Sequence, residues 1–306
     1  MRSYYSNLSL FRIILACFVF YEHVYALAGG SGWHIPIMAV PSFLGISGYL
    51  VLESINSSPS WRHFAEKRIR RIVPALTASL LLCWALLGFQ ALVGSVVVWA
   101  TGSLVFPDGQ KNFALWSLAW EEVAYTGLII LWGIGAYKNA FWIWICLVLS
   151  IVLAAFLSYL PPHQRIILFL FPAFFVGNLL YIYRNEALRV HPLIPWLALV
   201  LLWQWGDTPG GQLFGGVLVA VVQPLAIVWA GMAGAQIIPV RYPDLSYGIY
   251  VYHLPVIFFI LNSGWVSGPH QTLAVAVPLV LALSALSWYL LEKPAIYWRR
   301  SGRSFA

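Results

Sequence analysis

The stretch FRIILACFVFYEHVY, residues 11–25, decides how the chain folds. Its apolar run is typical of a membrane-spanning helix, which needs about 20 residues. Yet Arg12 stands near one end of the stretch, and Glu22 and His23 stand near the other. Ionisable side chains inside a span are costly, and they usually face a protein interior where they serve a function. The stretch therefore predicts a membrane protein whose first span carries part of a functional site.

The composition of the whole chain supports a membrane protein. Its 306 residues are 61% hydrophobic and 9% charged, whereas soluble proteins carry roughly 25% charged residues. The mean hydropathy is +0.81. A net charge of +7 is also typical of nucleic-acid binding, but here the basic residues lie in short segments between apolar runs, which excludes that partner. The three cysteines have no short spacing, so they predict neither a disulfide framework nor a metal site.

Ten apolar segments are interpreted as spans, and the basic residues set their orientation. The uncharged stretch 72–106 is long enough for one span or two. With one span and a cytoplasmic N-terminus, fourteen basic residues fall inside and only Lys111 and Arg165 fall outside. A second crossing would move eight of the fourteen outside. The segments are residues 8–28, 38–55, 74–95, 117–136, 140–159, 166–183, 192–206, 212–236, 245–262 and 271–291.

This pattern predicts an all-α, polytopic membrane bundle of about ten helices with both termini cytoplasmic. Residues 96–116 are expected to form an outer loop that is partly apolar. Residues 1–306 are interpreted as a single transmembrane domain without a fused soluble domain.

Arg12 and His23 share one face of the first span. Eleven residues separate them, which is roughly 16 Å along a helix axis and a rotation within about 20° of the same direction. The cost of a lipid-facing charge predicts that both side chains face the bundle interior. The alternative is an arginine that extends to the cytoplasmic surface and a histidine at the outer interface.

The densest basic segment is WRHFAEKRIRRIVP, residues 61–74, which is interpreted as a cytoplasmic loop. Arg68 and Arg71 are three residues apart and would share a helical face, with Arg70 beside them. Two guanidinium groups in that arrangement can bind a phosphate group bidentately. The alternative is that the segment only sets orientation and attracts anionic lipid head groups.

The stretch WSLAWEEVAY, residues 116–125, opens the fourth predicted span from the outer side. Ser117 is interpreted as an N-cap. Glu121 and Glu122 then lie near the membrane level assigned to His23, where a carboxylate can orient an imidazole and raise its basicity. The alternative is a pair of acids favoured by the helix dipole.

Two further spans contain ionisable groups. LSYGIYVYHLP, residues 245–255, puts Tyr250 and His253 on one face of the ninth span, where a hydrogen-bonded structural histidine is one interpretation. SWYLLEKP, residues 287–294, brings Glu292 to the cytoplasmic edge, where we expect it to pair with an arginine. In PSFLGISGYL, residues 41–50, small residues allow helices or a ligand to approach closely.

Taken in order, these motifs resemble the acyltransferase-3 family of integral-membrane O-acyltransferases. The resemblance runs from residue 12 to residue 294. Trp120 departs from the pattern, since a smaller residue is commoner there, and this concerns only the packing around Glu121. The motifs are Arg12 with ten residues before His23, then FLGISGYL, RIRRIVP, WSLAWEE followed by Tyr125, LSYGIYVYHLP and LLEKP.

The resemblance implies a function and roles for particular residues. Family members typically move an acyl group, usually acetyl, from cytoplasmic acyl-CoA to sugars of bacterial surface or secreted glycans. His23 and Glu121 are implied to be catalytic. Arg12 and the basic cluster are implied to bind acetyl-CoA, which is the acyl-donor substrate, and no metal is expected. The basic cluster consists of Arg68, Arg70 and Arg71.

The resulting prediction is a membrane O-acyltransferase that acts on a cell-surface glycan or a lipid-linked oligosaccharide, as a multi-pass protein among the lipids of the bacterial inner membrane. His23 would act as a base with Glu121 orienting it, or would carry the acyl group itself. A proton-coupled transporter or glycan flippase is the competing class, because intramembrane Arg, His and Glu also mark transport paths. The sequence leaves open the acceptor glycan, acetyl against succinyl, and the roles of Glu22, His253 and Glu292.

Overall fold

The computed structural model describes residues 5–30, 38–105, 107–157, 166–191, 193–205, 209–233, 236 and 243–297. Within these residues every regular element is a helix, which confirms the all-α class. The α-helices are α1 (Ser6–Leu27), α2 (Ala39–Asn56), α3 (Trp61–Leu87), α4 (Phe89–Thr101), α5 (Trp116–Gly133), α6 (Ala140–Phe156), α7 (Leu170–Ile182), α8 (Arg184–Ala187), α9 (Leu193–Trp205), α10 (Pro209–Ala233), α11 (Ser246–Ser263), α12 (Gly268–Ser287) and α13 (Lys293–Tyr297). A 3₁₀ turn (Phe113–Leu115) precedes α5, another (Ala136–Lys138) precedes α6, and a π-turn (Trp288–Glu292) joins α12 to α13.

The apolar helices identify a membrane protein. In the described part of the chain, five helices are long and apolar enough to cross a membrane: Ser6–Leu27, Trp61–Leu87, Phe113–Gly133, Gly216–Ala233 and Gly268–Tyr297. Helix α6 is shorter, and it exposes large apolar side chains such as Leu149 and Phe156, the latter at 78%. Hydrocarbon chains accept such a surface, whereas water does not. Each of the ten predicted segments overlaps a helix, while ten crossings and a cytoplasmic orientation stay predictions. The terminal residues themselves lie outside the described ranges.

The bounds of the third predicted span, residues 74–95, were wrong, and so was the prediction of a loop for the basic segment before it. Helix α3 begins at Trp61, where the Ser60 hydroxyl accepts a hydrogen bond from the His63 amide at 3.3 Å, so the basic segment is helical and not a loop. Helix α3 ends at Gly88, whose φ of +89° favours glycine. Helix α4 then covers the last residues of the predicted span and residues 96–101 of the predicted outer loop, while the rest of that loop contains no α-helix before Trp116 among the described residues. At 13 residues it is about 20 Å long, which is short of the roughly 30 Å of a bilayer core.

The helices form two compact units, and α1 and α5 each contribute to both. The first unit holds α1 up to Leu15, α2, α5 from Trp120 onward, and α6 to α10. Its helices α2 and α7 touch backbone to backbone, since a Cβ on Gly177 would overlap the carbonyl oxygen of Gly45. Gln223 of α10 donates to the Ser42 hydroxyl of α2 at 2.7 Å. Small residues and one buried amide therefore determine this packing, as is usual in membranes.

The second unit holds α1 from Ala16, α3, α4, the start of α5, and α11 to α13. Helix α11 packs against both α3 and α12. The Tyr247 hydroxyl of α11 donates to the Ile72 carbonyl of α3 at 2.8 Å, and Gly248 of α11 lies against the backbone of Ser284 in α12. This unit contains both the basic segment and the imidazole pair described below.

Candidate active site

Two histidines from distant parts of the sequence form a buried pair in the second unit. The Nδ1 atom of His23 on α1 lies 2.7 Å from the Nε2 atom of His253 on α11. The rings are nearly parallel, with centroids 5.0 Å apart. His253 is completely buried, whereas His23 is half-buried. His23 is therefore the member of the pair that a substrate can reach.

Aromatic side chains enclose the imidazole pair. Phe113 meets the His23 ring edge-on at a centroid distance of 5.2 Å. Phe20 and Tyr250 lie 5.9 Å and 6.0 Å from the His253 ring. Such walls limit the access of water and strengthen electrostatic interactions between the groups inside.

Pro255 explains how Phe113 comes to lie beside His23. Proline has no amide hydrogen, so the Val251 carbonyl, four residues earlier in α11, loses its partner within the helix. The buried Asn112 side chain donates to that carbonyl at 2.9 Å. Because Asn112 directly precedes Phe113, this bond fixes the segment that presents the phenyl ring to His23.

Ser117 does not cap α5, in contrast to the prediction. It lies inside the helix, and its hydroxyl is 2.7 Å from the Tyr250 hydroxyl. The 3₁₀ turn Phe113–Leu115 runs directly into α5, so the helix does not start at an exposed serine. Tyr250 also donates to the Ala114 carbonyl at 3.0 Å. Together these bonds join the start of α5 to α11 one turn away from His253.

Glu121 lies in the first unit, in a compact hydrogen-bonded cluster. Its carboxylate accepts from the Ser47 hydroxyl of α2 at 2.6 Å and from the Tyr125 hydroxyl one turn further along α5. The Ser47 and Tyr125 hydroxyls are 2.8 Å apart. The cluster joins two motifs that the sequence presents separately, FLGISGYL and WSLAWEE. The prediction that Glu121 acts on His23 stays a prediction.

The arginines of the basic cluster differ in their contacts. Arg71 donates to Asp244 at 2.8 Å and to Glu292 at 3.0 Å, and its guanidinium lies over the Tyr247 and Trp288 rings. The expectation that Glu292 pairs with an arginine is thereby confirmed. Two of the five N–H donors of Arg71 are committed to carboxylates.

The other two arginines of the basic cluster have further contacts on α3 itself. Arg70 pairs with Glu66 at 2.7 Å, one turn earlier in α3. Arg68 is half-buried, with its guanidinium 5.7 Å from the Phe64 ring centroid. Both side chains are half-buried, so part of each reaches the surface of the unit.

Hydrogen bonds between α3 and α11 give the distance along the helix axes between the basic segment and the imidazole pair. Ile72 of α3 is level with Tyr247 of α11, and the two helices run in the same direction, since the Tyr252 hydroxyl donates to the Ala75 carbonyl. Arg68 lies four residues before Ile72, and His253 lies six residues after Tyr247. The axial separation of Arg68 and His253 is therefore about 15 Å.

Arg12 lies on α1, half-buried and within the first unit. Helix α1 is continuous from Ser6 to Leu27, so the spacing of roughly 16 Å between Arg12 and His23 follows from helix geometry. Among the described residues, no cluster of three or more His, Cys, Asp or Glu side chains could hold a metal ion.

An apolar cavity of about 520 Å³ opens beside the imidazole pair, between α1, α11 and α12. It shares Phe20 with the wall around His253, and it includes Ile249. Its lining is almost entirely apolar and therefore suits apolar groups. The lining residues are Cys17, Phe18, Phe20, Tyr21, Ile249, Leu273, Val277, Val280 and Leu281.

Sequence reasoning missed His253 as the partner of His23. A second intramembrane histidine in LSYGIYVYHLP was the available signal, because a buried imidazole needs a hydrogen-bond partner. The pair joins residues 230 positions apart, and no local pattern states which helices are neighbours. Asn112 and Phe113 were also missed, since neither residue type in a loop predicts a site.

The fold and the site define a membrane-embedded helical protein with an imidazole pair suited to proton transfer or nucleophilic attack. The acyltransferase domain family matches residues 5–292, nearly the whole chain, and the chain belongs to this acyltransferase-3 family. It is an acyltransferase.

Two curated relatives match this chain over almost their full length. An O-acetyl transferase of Shigella phage Sf6 is 28% identical over 320 residues, covering 92% of this chain and 93% of that protein. Nodulation protein 10 of Rhizobium leguminosarum bv. viciae is 27% identical over 348 residues, covering 97% of this chain and 94% of that protein. No solved structure matches the chain.

Proposed function

We propose that the chain is an O-acyltransferase that moves an acetyl group from cytoplasmic acyl-CoA to a hydroxyl of a cell-surface or lipid-linked glycan, as a multi-pass protein of the bacterial inner membrane. The observation that carries the proposal is the enclosed His23–His253 pair in a chain matched by the family over residues 5–292. The name of the phage relative, O-acetyl transferase, supports transfer of acetyl to oxygen.

The reaction requires one base and one activated acyl donor. His23 takes the proton of the acceptor hydroxyl as the oxygen attacks the thioester carbonyl carbon. A C–O bond forms and the C–S bond breaks. The proton held by His23 then passes to the departing thiolate, which leaves as free CoA. In the alternative order, His23 itself attacks the carbonyl and the C–S bond breaks as the CoA thiolate leaves. The acyl-histidine then passes the acyl group to the hydroxyl, whose proton ends on the thiolate to give free CoA.

The donor site is proposed at the basic end of α3. Arg68 and Arg70 offer guanidinium groups to the CoA phosphates, and Arg71, held by Asp244 and Glu292, orients that end of the helix and contributes its remaining N–H groups. The axial separation of about 15 Å from Arg68 to His253 suits an extended pantetheine arm between phosphates and thioester.

Glu121 and Arg12 are proposed as site residues from their motifs. Glu121 would stabilise the imidazolium that forms on His23, and Arg12 would contact the donor. The cluster of Glu121 with Ser47 and Tyr125 supports a fixed carboxylate at this position.

Acyl transfer by purified protein in lipid nanodiscs tests the proposal. Wild-type protein should move radiolabelled acetyl from acetyl-CoA to glycan extracted from a producing strain, while His23→Ala should insert normally and transfer nothing. A transporter or flippase would show no transfer with either protein. Mass spectrometry of surface glycans from cells with and without the gene would identify the acceptor. Unchanged acetylation in the His23→Ala strain would refute the site.

Calorimetry of acetyl-CoA binding in detergent tests the donor site. Arg68→Ala combined with Arg70→Ala should weaken binding by about 1.5–3 kcal/mol for each charge-assisted hydrogen bond that the substitutions remove. Arg71 is not suitable for this test, because its removal takes away the guanidinium that pairs with the buried Glu292 carboxylate and would destabilise the fold. Arg62→Ala, an exposed arginine on the same helix, is the matched control. Equal affinities for all three proteins would leave the segment with an orienting role only.

A further inference from the structure

We propose that His253 is a positioning residue that fixes the tautomer of His23, so that His23 holds its proton on Nδ1 and presents a bare Nε2 to the substrates. The inference rests on the proposed function for its catalytic meaning. The proton arrangement itself concerns the resting protein and is testable without turnover.

The first step is the proton on His253. Its Nδ1 atom lies 3.1 Å from the Ile249 carbonyl oxygen, one turn earlier in α11. A carbonyl oxygen only accepts hydrogen bonds, so the Nδ1 atom of His253 must carry the hydrogen. Helix geometry holds this contact, because residues four apart lie on the same face.

The second step is the charge of His253. Its side chain is completely buried among Phe20, Tyr250 and the His23 ring. An imidazolium without a carboxylate partner at such a place loses its hydration without compensation. Neutral His253, with its hydrogen on Nδ1, has a lone pair on Nε2.

The third step derives the proton position on His23 from that on His253. The Nε2 atom of His253 faces the Nδ1 atom of His23 at 2.7 Å, and a bare Nε2 can only accept. His23 therefore donates from Nδ1. A neutral His23 that holds its proton on Nδ1 has its lone pair on Nε2.

For catalysis, this tautomer makes the Nε2 atom of His23 available as the base. With the opposite tautomer, Nε2 of His23 would carry the proton and could neither accept the hydroxyl proton nor attack the thioester. When His23 is protonated during transfer, its Nδ1–H still donates to neutral His253, so the imidazolium keeps a hydrogen-bond partner. A carboxylate has this role in many catalytic triads, and loss of tautomer control there lowers kcat by about 10⁴.

The alternative is that His253 is only a satisfied buried group that packs α1 against α11. Both roles predict that its loss harms the protein. They differ in the proton position on His23 and in the response to a replacement that keeps the acceptor.

Nitrogen-15 NMR of histidine-labelled protein in nanodiscs measures the proton position directly. The chain has 7 histidines, and the His23 signals are identified as those missing from His23→Ala. Wild-type His23 should be protonated on Nδ1 and bare on Nε2. In His253→Phe, which keeps an aromatic ring but removes the acceptor, protonation should shift toward Nε2. Protonation on Nε2 in the wild type, or an unchanged spectrum in His253→Phe, would overturn the proposal.

Kinetics of matched variants test the functional meaning. His253→Phe should lower kcat by about 10²- to 10⁴-fold with little change in KM for acetyl-CoA. His253→Gln offers an amide oxygen to the Nδ1–H of His23 and should recover at least about tenfold of that loss. His270→Phe, the same change at an exposed histidine on α12, should leave kcat unchanged.

Equal losses of kcat in His253→Phe and His253→Gln, at equal amounts of folded protein, would assign His253 a packing role. They would refute its proposed role in fixing the tautomer of His23. If wild-type protein transfers no acyl group at all, the proposed function fails, while the NMR spectra still decide the tautomer.

Discussion

Glu292 is almost fully buried, at 1% exposure, and its carboxylate accepts from Arg71 and from the Ser287 hydroxyl. A buried charge is stable only with its partners, since removal of one partner leaves the other desolvated and uncompensated. The side chains of Arg70 and Glu66 are 24% and 31% exposed, so this pair keeps part of its hydration in the folded protein and contributes less. Two glutamates, Glu292 and Glu66, are therefore expected to differ widely in their contribution to the free energy of unfolding.

The first prediction concerns this difference. Glu292→Ala should lower the free energy of unfolding by about 3 kcal/mol, the lower end for breaking a buried pair, because Asp244 still holds Arg71. Glu66→Ala, in the partly exposed pair with Arg70, should cost less than about 1 kcal/mol. Thermal unfolding in detergent, followed by tryptophan fluorescence, measures both. Equal destabilisation would contradict the assigned difference in burial.

A second prediction concerns the catalytic assignment of Glu121. Glu121→Gln keeps the size of the side chain and an oxygen for Ser47, but it removes the negative charge. If the carboxylate stabilises the imidazolium on His23, kcat should fall by about 10²-fold or more, with KM for acetyl-CoA little changed. Glu122→Gln, the neighbouring acid, is the control and should transfer acetyl at the wild-type rate. A fully active Glu121→Gln enzyme would remove Glu121 from the chemistry.

At the scale of elements, hydropathy predicted most of the helices, because every apolar segment that crosses lipid must satisfy its backbone internally. The prediction for α3 was wrong for a physical reason. A span was assumed to begin where charges end, whereas the helix begins just after Ser60, whose side chain accepts from the first turn. Helix formation depends on backbone hydrogen bonds, and Lys and Arg are good helix formers.

The site was predictable only in part, also for physical reasons. The cost of buried charge singled out His23, Arg12 and Glu292 from the sequence alone. The identity of each partner depends on which helices are neighbours. Nothing in α1 alone specifies that α11 brings His253 to within 2.7 Å of His23. Likewise, the Asn112 contact depends on a carbonyl that Pro255 leaves free in another helix.

The third prediction concerns the packing of α2 on α7. Gly177→Ala should force these helices apart, because the added Cβ would overlap the Gly45 carbonyl oxygen, which is backbone and cannot rotate away. We expect a loss of about 1–3 kcal/mol. Gly127→Ala in α5 is the control, since a Cβ added there would have no heavy atom of another residue within 4 Å, and the helix should gain from alanine.

Size-exclusion chromatography after heating measures the third prediction as the temperature at which half the folded peak is lost. A Gly177→Ala protein as heat-resistant as the wild type would show that the close backbone contact is not needed for folding.

At the scale of the whole molecule, the distribution of charge predicts the orientation in the membrane. Fourteen of the seventeen basic residues belong to segments assigned to the cytoplasmic side. Helix α4, at about 20 Å, is shorter than a bilayer core of about 30 Å. A single crossing between the basic segment and Lys111 is the prediction that the charges favour.

The fourth prediction tests this orientation. In a background without Cys17, Cys83 and Cys146, Lys111→Cys should react with a membrane-impermeant maleimide added to intact spheroplasts. Lys138→Cys should react only after the membrane is permeabilised. Mass-shift gels measure both reactions. Labelling in the reverse order would overturn the predicted topology, including the side from which the donor enters.

The aromatic wall around the imidazole pair affects more than the strength of one hydrogen bond. A thioester next to an activated base is an easy target for water, and each hydrolysed donor is lost without a modified sugar. Phe113 packs edge-on against the His23 ring and Phe20 lies beside the His253 ring, so the pair is closed to water on these sides. Under the proposed function, this enclosure would favour transfer to a bound acceptor hydroxyl over hydrolysis of the donor.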